Sequence, residues 1–74
     1  MTRQQLQLKL DDLAVDPALY ALHGEGSPGQ MVLAHENFQW VVFYYDPQKG
    51  KSDIKKFASE QDACNYFYRF YQLK

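Results

Sequence analysis

The first apolar positions recur at helical spacing. Leu6, Leu10 and Leu13 fall on one face of a helix running from Thr2 to about Ala14. Thr2 and Gln5 have the spacing of a capping box, and Asp16-Pro17 is a stop signal. Leu6, Leu8 and Leu10 also alternate with polar neighbours as in a strand, but Leu, Gln and Lys are better helix than strand formers. Beyond Pro17 the texture changes to short apolar runs between turn residues, the pattern of a β-meander. Leu19 to His23 is the first run. Gly24 to Gly29, with three Gly and one Pro in six residues, is a loop. Met31 to His35 is the second run and Glu36-Asn37 a tight turn, because Asn tolerates positive φ. Phe38 to Tyr45 is the strongest strand of the chain. Trp40, Val42 and Tyr44 line one of its faces and Val41, Phe43 and Tyr45 the other, which predicts an inner strand covered on both sides.

Asp46 to Gly50 supplies the next turn and Lys51 to Ala58 a fourth strand, whose Lys51, Lys55 and Lys56 suit a sheet edge. Ser59 and Asp62 then mark a helix start. Ala63, Phe67 and Phe70 form its apolar stripe, widened by Cys64, Tyr66, Tyr71 and Leu73, with Gln61, Asn65, Arg69 and Gln72 opposite. The pattern predicts a single domain over residues 1–74. Its fold class is α+β, a small two-layer domain in which a four-stranded antiparallel meander is flanked by an N-terminal and a C-terminal helix. Trp40, Phe57, Phe67 and Phe70 are its expected core.

Composition narrows the function classes. The 74 residues are 46% hydrophobic and 16% aromatic, too rich in rings for a disordered segment and too few for more than one core. So short a chain has little material for a deep active-site cleft, and no catalytic activity is expected. One Cys excludes an intramolecular disulfide, the longest apolar run is too short to span a bilayer, and Met1-Thr-Arg-Gln-Gln has no signal-peptide core. A cytoplasmic protein without a membrane partner is expected.

Candidate chemistry is scattered. His23 and His35 flank the Gly-rich loop without a third ligand, so no metal or other cofactor is expected. Cys64 shares a helical stripe with Ala63 and Phe67, the setting of a small core residue rather than a nucleophile. The Gly-rich loop lacks the Gly-Lys-Ser/Thr ending of a phosphate cradle and leads into a strand. Asp11 and Asp12 diverge on a helix and cannot act together on one bond. No catalytic residues and no small-molecule substrate are assigned.

Charge is more informative. Residues 10–48 carry six acids, Asp11, Asp12, Asp16, Glu25, Glu36 and Asp46, and no Lys or Arg. Residues 49–74 carry six bases, Lys49, Lys51, Lys55, Lys56, Arg69 and Lys74, against three acids. Trp40, Phe43, Tyr44, Tyr45, Tyr66, Tyr68 and Tyr71 could stack bases, but a stacking platform needs a cationic surround. The long acidic stretch instead repels nucleic acid and attracts a basic protein.

Three segments carry a family resemblance: Leu19-Tyr-Ala-Leu-His-Gly24, Trp40-Val-Val-Phe-Tyr-Tyr45 and, after the Gly50 turn, Phe57-Ala-Ser-Glu-Gln-Asp-Ala-Cys-Asn-Tyr-Phe67. In this order they resemble the small bacterial immunity proteins of polymorphic toxin and contact-dependent inhibition systems. The turn Asp46-Pro47-Gln48-Lys49 departs from that pattern, in which Glu-Arg-Gly is common. The resemblance implies an antidote that binds one cognate toxin domain, a nuclease or another toxin with a basic site, and performs no chemistry itself. The strand-turn-strand-helix ending also occurs in AP2-like and RNase H hybrid-binding domains, so the alternative is a small nucleic-acid-binding module using Lys49, Lys51, Lys55 and Lys56. The expected toxin contacts are Glu25 and Asp46, then Glu36, with Tyr44 or Tyr45 as an anchor. Asp11, Asp12 and Asp16 form the fallback surface. In a meander Glu25 and Asp46 share one end of the sheet and Glu36 lies at the other. A monomer or weak dimer is expected.

Overall fold

The computed structural model describes residues 1–72 as α1 (Arg3–Asp12), a 3₁₀ turn (Pro17–Leu19), β1 (Tyr20–Ala21), β2 (Met31–Glu36), β3 (Gln39–Asp46), β4 (Gly50–Phe57) and α2 (Glu60–Gln72). The strands form one sheet in the order β1-β2-β3-β4, and both helices pack on one side of it. The fold is α+β, with helices at either end of the chain. Leu73, expected on the α2 stripe, and Lys74, counted among the C-terminal bases, lie outside the described residues.

α1 begins at the expected capping box. Gln5 N donates to Thr2 Oγ1 at 3.2 Å and Thr2 N donates to Gln5 Oε1 at 2.9 Å, which satisfies amides that the first turn leaves open. Leu6 and Leu10 are fully buried. Leu13, expected on the same face, is 40% exposed because the helix has already ended there. Ala14 N donates to Asp11 O and Val15 N to Leu10 O, a Schellman closure in which Ala14 takes the left-handed φ of 59°. The reversal follows Leu13, which stays at the exposed C-cap, and brings Val15 onto the core.

The sheet departs from a meander at its first strand. β1 is two residues long and runs parallel to β2, with Tyr20 opposite Met31 and Ala21 opposite Val32. The chain keeps that direction to Gly24, whose N–H donates to Leu33 O at 3.0 Å. It then doubles back across the outer face of the sheet, the side away from the helices. Gly26 lies on Val32 so closely that a Cβ there would overlap Val32 Cγ2, and the loop lands where Gly29 N donates to Tyr45 O at 2.7 Å. Because the loop crosses the sheet instead of turning at its end, β2 starts in the same direction as β1.

β2 and β3 pair antiparallel from Met31↔Tyr44 to Glu36↔Gln39 around the two-residue turn Asn37-Phe38, with φ values of 49° and 63°. These are the mirror-image turn angles that match strand twist. β3 pairs antiparallel with β4, the predicted edge strand, and the register slips between Val42 and Tyr44. There Asp53, at φ 52°, and Ile54 together oppose Phe43 in a bulge, a feature that discourages further pairing at an edge.

The inner core joins Leu6, Leu10, Tyr20, Leu22, Met31, Leu33 and Val42 to Ala63, Cys64, Phe67 and Tyr71 of α2. Phe67 is central and fully buried, and meets Tyr20 edge-on at 6.5 Å. Trp40 and Phe57, two of the four expected core residues, are half-buried at its margin. Phe70, the fourth, is 37% exposed, and Tyr71 takes the buried place. Tyr71 can do so because its hydroxyl donates to Leu19 O at 3.3 Å, which removes the cost of burying it unpaired. Val32, Ala34, Val41 and Phe43 make a second cluster on the outer face, so β3 is covered on both sides as predicted.

Phe67→Ala should cost about 3–5 kcal/mol and leave a chain of this size largely unfolded, as read by near-UV dichroism and urea titration. Gly26→Ala should destabilise through overlap with Val32 alone, since Gly26 has no left-handed φ. Its cost should shrink in a Val32→Ala background, giving a non-zero coupling in a double-mutant cycle read by urea unfolding.

Candidate protein-binding surface

The outer side of the sheet gathers most of the expected contact residues. The docked loop puts Glu25, exposed to solvent, above the strands between Gly24, which lies against Ala34, and Gly26, which lies against Val32 and the Tyr45 ring. Tyr45 is half-buried beneath the loop and fixed by two main-chain bonds, with Gly29 N donating to its carbonyl and its own N–H donating to Gln30 O at 2.8 Å. Glu25 therefore sits over the sheet instead of at its end, where a meander would put it. Loop position is set by Ser27 N donating to Gln30 Oε1 and Gln30 Nε2 donating to Ala18 O.

Asp46 follows Tyr45 directly, but its carboxylate is partly engaged. Oδ1 accepts from Gln48 N at 2.8 Å and Lys49 N at 3.1 Å, closing the turn into β4. Glu36 projects to the same outer side, where its carboxylate lies 3.8 Å from Lys51 Nζ. Lys51 in turn sits 4.9 Å from the Phe43 ring centroid. The acidic and basic segments of the chain thus interlock across this face. The residues of that ion pair are about half exposed, a setting in which such pairs contribute little to stability.

Tyr44 faces the opposite way. It lines an open groove of about 230 Å³ between the sheet and α2 with Met31, Tyr66, Phe70, Asp53 and Lys55. The structure therefore brings Glu25, Glu36 and Tyr45 to one side, puts Asp46 at its rim and separates Tyr44 from them. Asp11, Asp12 and Asp16 of the fallback surface are exposed near the end of α1. The lysines of the alternative reading are divided: Lys51 and Lys56 alternate onto the outer side while Lys55 lines the groove. The aromatic rings form no common platform, since Phe43 and Tyr71 are buried and Trp40 is stacked on His35 at 4.1 Å.

The two histidines flank a junction that holds the helices to the sheet. Arg3 Nη1 bonds Leu22 O at 3.3 Å and lies 3.4 Å from His23 Nδ1, while its guanidinium lies over Trp40 at 5.2 Å. Glu60 Oε2 accepts from Arg3 N at 3.0 Å and lies 3.8 Å from Arg3 Nε. The first turn of α2 thereby supplies an anion to the open amides of α1, where the helix dipole favours one. Among the described residues, no group of three or more His, Cys, Asp or Glu is placed to hold a metal ion.

Phe38 was expected to begin β3. It instead occupies the hairpin tip, 96% exposed. The two-residue turn is Asn37-Phe38, one residue later than the expected Glu36-Asn37, and both of its central residues hold positive φ.

Cys64 is fully buried, and burial, reinforced by Glu60, pushes its thiol up to about 11. Burial likewise pushes the Tyr71 hydroxyl up to about 12. No protein-family model, curated protein or solved structure matches the chain. Among the described residues no helix is long and apolar enough to cross a membrane.

Both raised groups are acids held neutral in the fold, so the unfolded chain releases their protons first as pH rises. Stability should be level with respect to these groups below about pH 9, then fall as pH climbs through 9–12. The loss from Cys64 should be on the order of 2 kcal/mol by pH 11, read from urea midpoints. Cys64→Ala should remove the earlier part of this decline. Native Cys64 should resist iodoacetamide at pH 8 and react when the chain is unfolded in urea.

Proposed function

We propose that this chain is an immunity-type inhibitor that acts in the cytoplasm, binds a cognate protein toxin domain and carries out no reaction itself. The observation that carries the reading is the docked loop. It carries Glu25 between Gly24, bonded to Leu33 O, and Gly26, which lies against Val32 and the Tyr45 ring, so the backbone at Glu25 is held on the sheet and binding there loses less conformational entropy than on an untied loop. An exposed carboxylate next to a half-buried tyrosine suits a basic protein cleft: the charge speeds approach and the ring supplies contact area. The family resemblance supports the same reading, since Trp40, Phe57 and Phe67 serve the scaffold that holds this surface.

The toxin is sought in the gene immediately upstream, as the C-terminal domain of a large secreted protein. Co-expression of that domain with this chain should restore growth of a host that the domain alone arrests. Glu25→Lys should then slow association several-fold and flatten its salt dependence. Asp46→Asn is the matching charge removal, because it keeps the acceptor that closes the turn. Failure of the chain to protect, together with sub-micromolar, salt-sensitive binding to a fluorescent RNA, DNA or hybrid, would favour the nucleic-acid module instead.

A further inference from the structure

At one position two physical costs coincide. Phe38 holds φ at 63°, where an L side chain crowds the following carbonyl and where a bulky residue is a true outlier. The same ring is 96% exposed, so it buries almost nothing within the chain to offset that strain. Single exposed apolar residues are ordinary on protein surfaces. A fully exposed ring at the position of a mirror-image turn that best suits glycine is not. Asn37 beside it holds φ at 49°, which asparagine tolerates, so within this turn the anomaly belongs to Phe38. Strained residues of this kind cluster at ligand clamps and contact sites.

We infer that Phe38 is the aromatic anchor of the interface, inserted into an apolar pocket on the toxin domain; this rests on the inhibitor reading above. The tip is built for insertion. It stands on the six-residue β2–β3 ladder, so the ring is presented on a stiff hairpin and loses freedom about only two side-chain bonds when bound. Its neighbours indicate the rim of the pocket. His35, Glu36, Asn37 and Gln39 are all exposed, and Glu36, whose carboxylate lies 3.8 Å from Lys51 Nζ, is the acid of the tip. A ring flanked by a carboxylate and amides fits a pocket with an apolar floor and a basic or hydrogen-bonding edge. Glu36 is half exposed beside Lys51, so it can reach such an edge without leaving a buried charge behind.

The test uses the full chain and the C-terminal domain encoded by the upstream gene, with calorimetry for affinity and thermal melting for stability. Phe38→Gly and Phe38→Asn both accept the left-handed turn. Each should raise the melting midpoint by about 5 °C while weakening binding by at least ~30-fold, mostly through faster dissociation. A structural role for the ring would lower the melting midpoint and would overturn the inference. Unchanged affinity in both variants, with wild type binding tightly, would also overturn it and leave the inhibitor reading standing. Absence of wild-type binding would overturn that reading, and the inference with it.

Discussion

β3 is apolar on both faces, and the chain has helices for only one of them. Val42 meets the inner core under Phe67, while Val41 and Phe43 point the other way and must also leave water. A strand of this kind ordinarily sits between two layers of helix. Here the second layer is made from residues 24–30, a loop thin enough to lie directly on Val32 and Ala34 because glycines stand at the points of contact. The outer face is completed from the other edge by Lys51, whose ammonium group lies over Phe43.

That one requirement explains several features that look independent. The loop must cross the sheet, so β1 enters parallel to β2 and shrinks to two residues. It must be held down, so its far end borrows main-chain bonds from Tyr45, at the limit of the β2–β3 ladder. The helices are thereby freed from the outer face and pack together on the inner one, joined at their N-terminal ends by Glu60 and Arg3. On so closely placed a loop the backbone that carries Glu25 is held against the sheet. Glu25 gains its position from an apolar packing problem and not from any contact of its own.

Features governed by near neighbours were legible in the sequence. The capping box at Thr2, the Asp46 to Gly50 turn and the alternation of β3 depend on residues within a few positions of one another. Alternation alone places Tyr44 and Tyr45 on opposite faces, so they could not serve one surface together. Features decided by distant partners were not legible. Phe70 and Tyr71 lie about 100° apart on α2, and both suit an apolar stripe; Tyr71 is buried because Leu19 O is there to accept its hydroxyl proton. Leu13 and Val15 exchange places because the helix closes through a left-handed Ala14, a residue that does not announce such a cap. The Gly-rich segment was rightly read as a loop, but nothing local says that it returns over the sheet, and the location of Glu25 follows from that path.

Glu25 and Phe38 lie in different parts of the molecule, and the distance between them bears on whether one partner can use both. The β2–β3 ladder spans six residues, or about 20 Å at the usual rise, with Phe38 at one end and Tyr45 at the other. The whole domain measures 30 × 26 × 20 Å. An interface of ordinary size covers about 800 Å² on each partner, roughly 28 Å across. Such a patch on the outer side would include the hairpin tip, the Glu36–Lys51 pair and the docked loop. In the inhibitor reading these parts have separable roles: open carboxylates act at a distance and set the rate of encounter, whereas the ring acts only after contact and sets the lifetime of the complex. In that reading the β2–β3 ladder sets the spacing between the two, so a partner drawn in by the loop meets the ring at the far end of the same ladder.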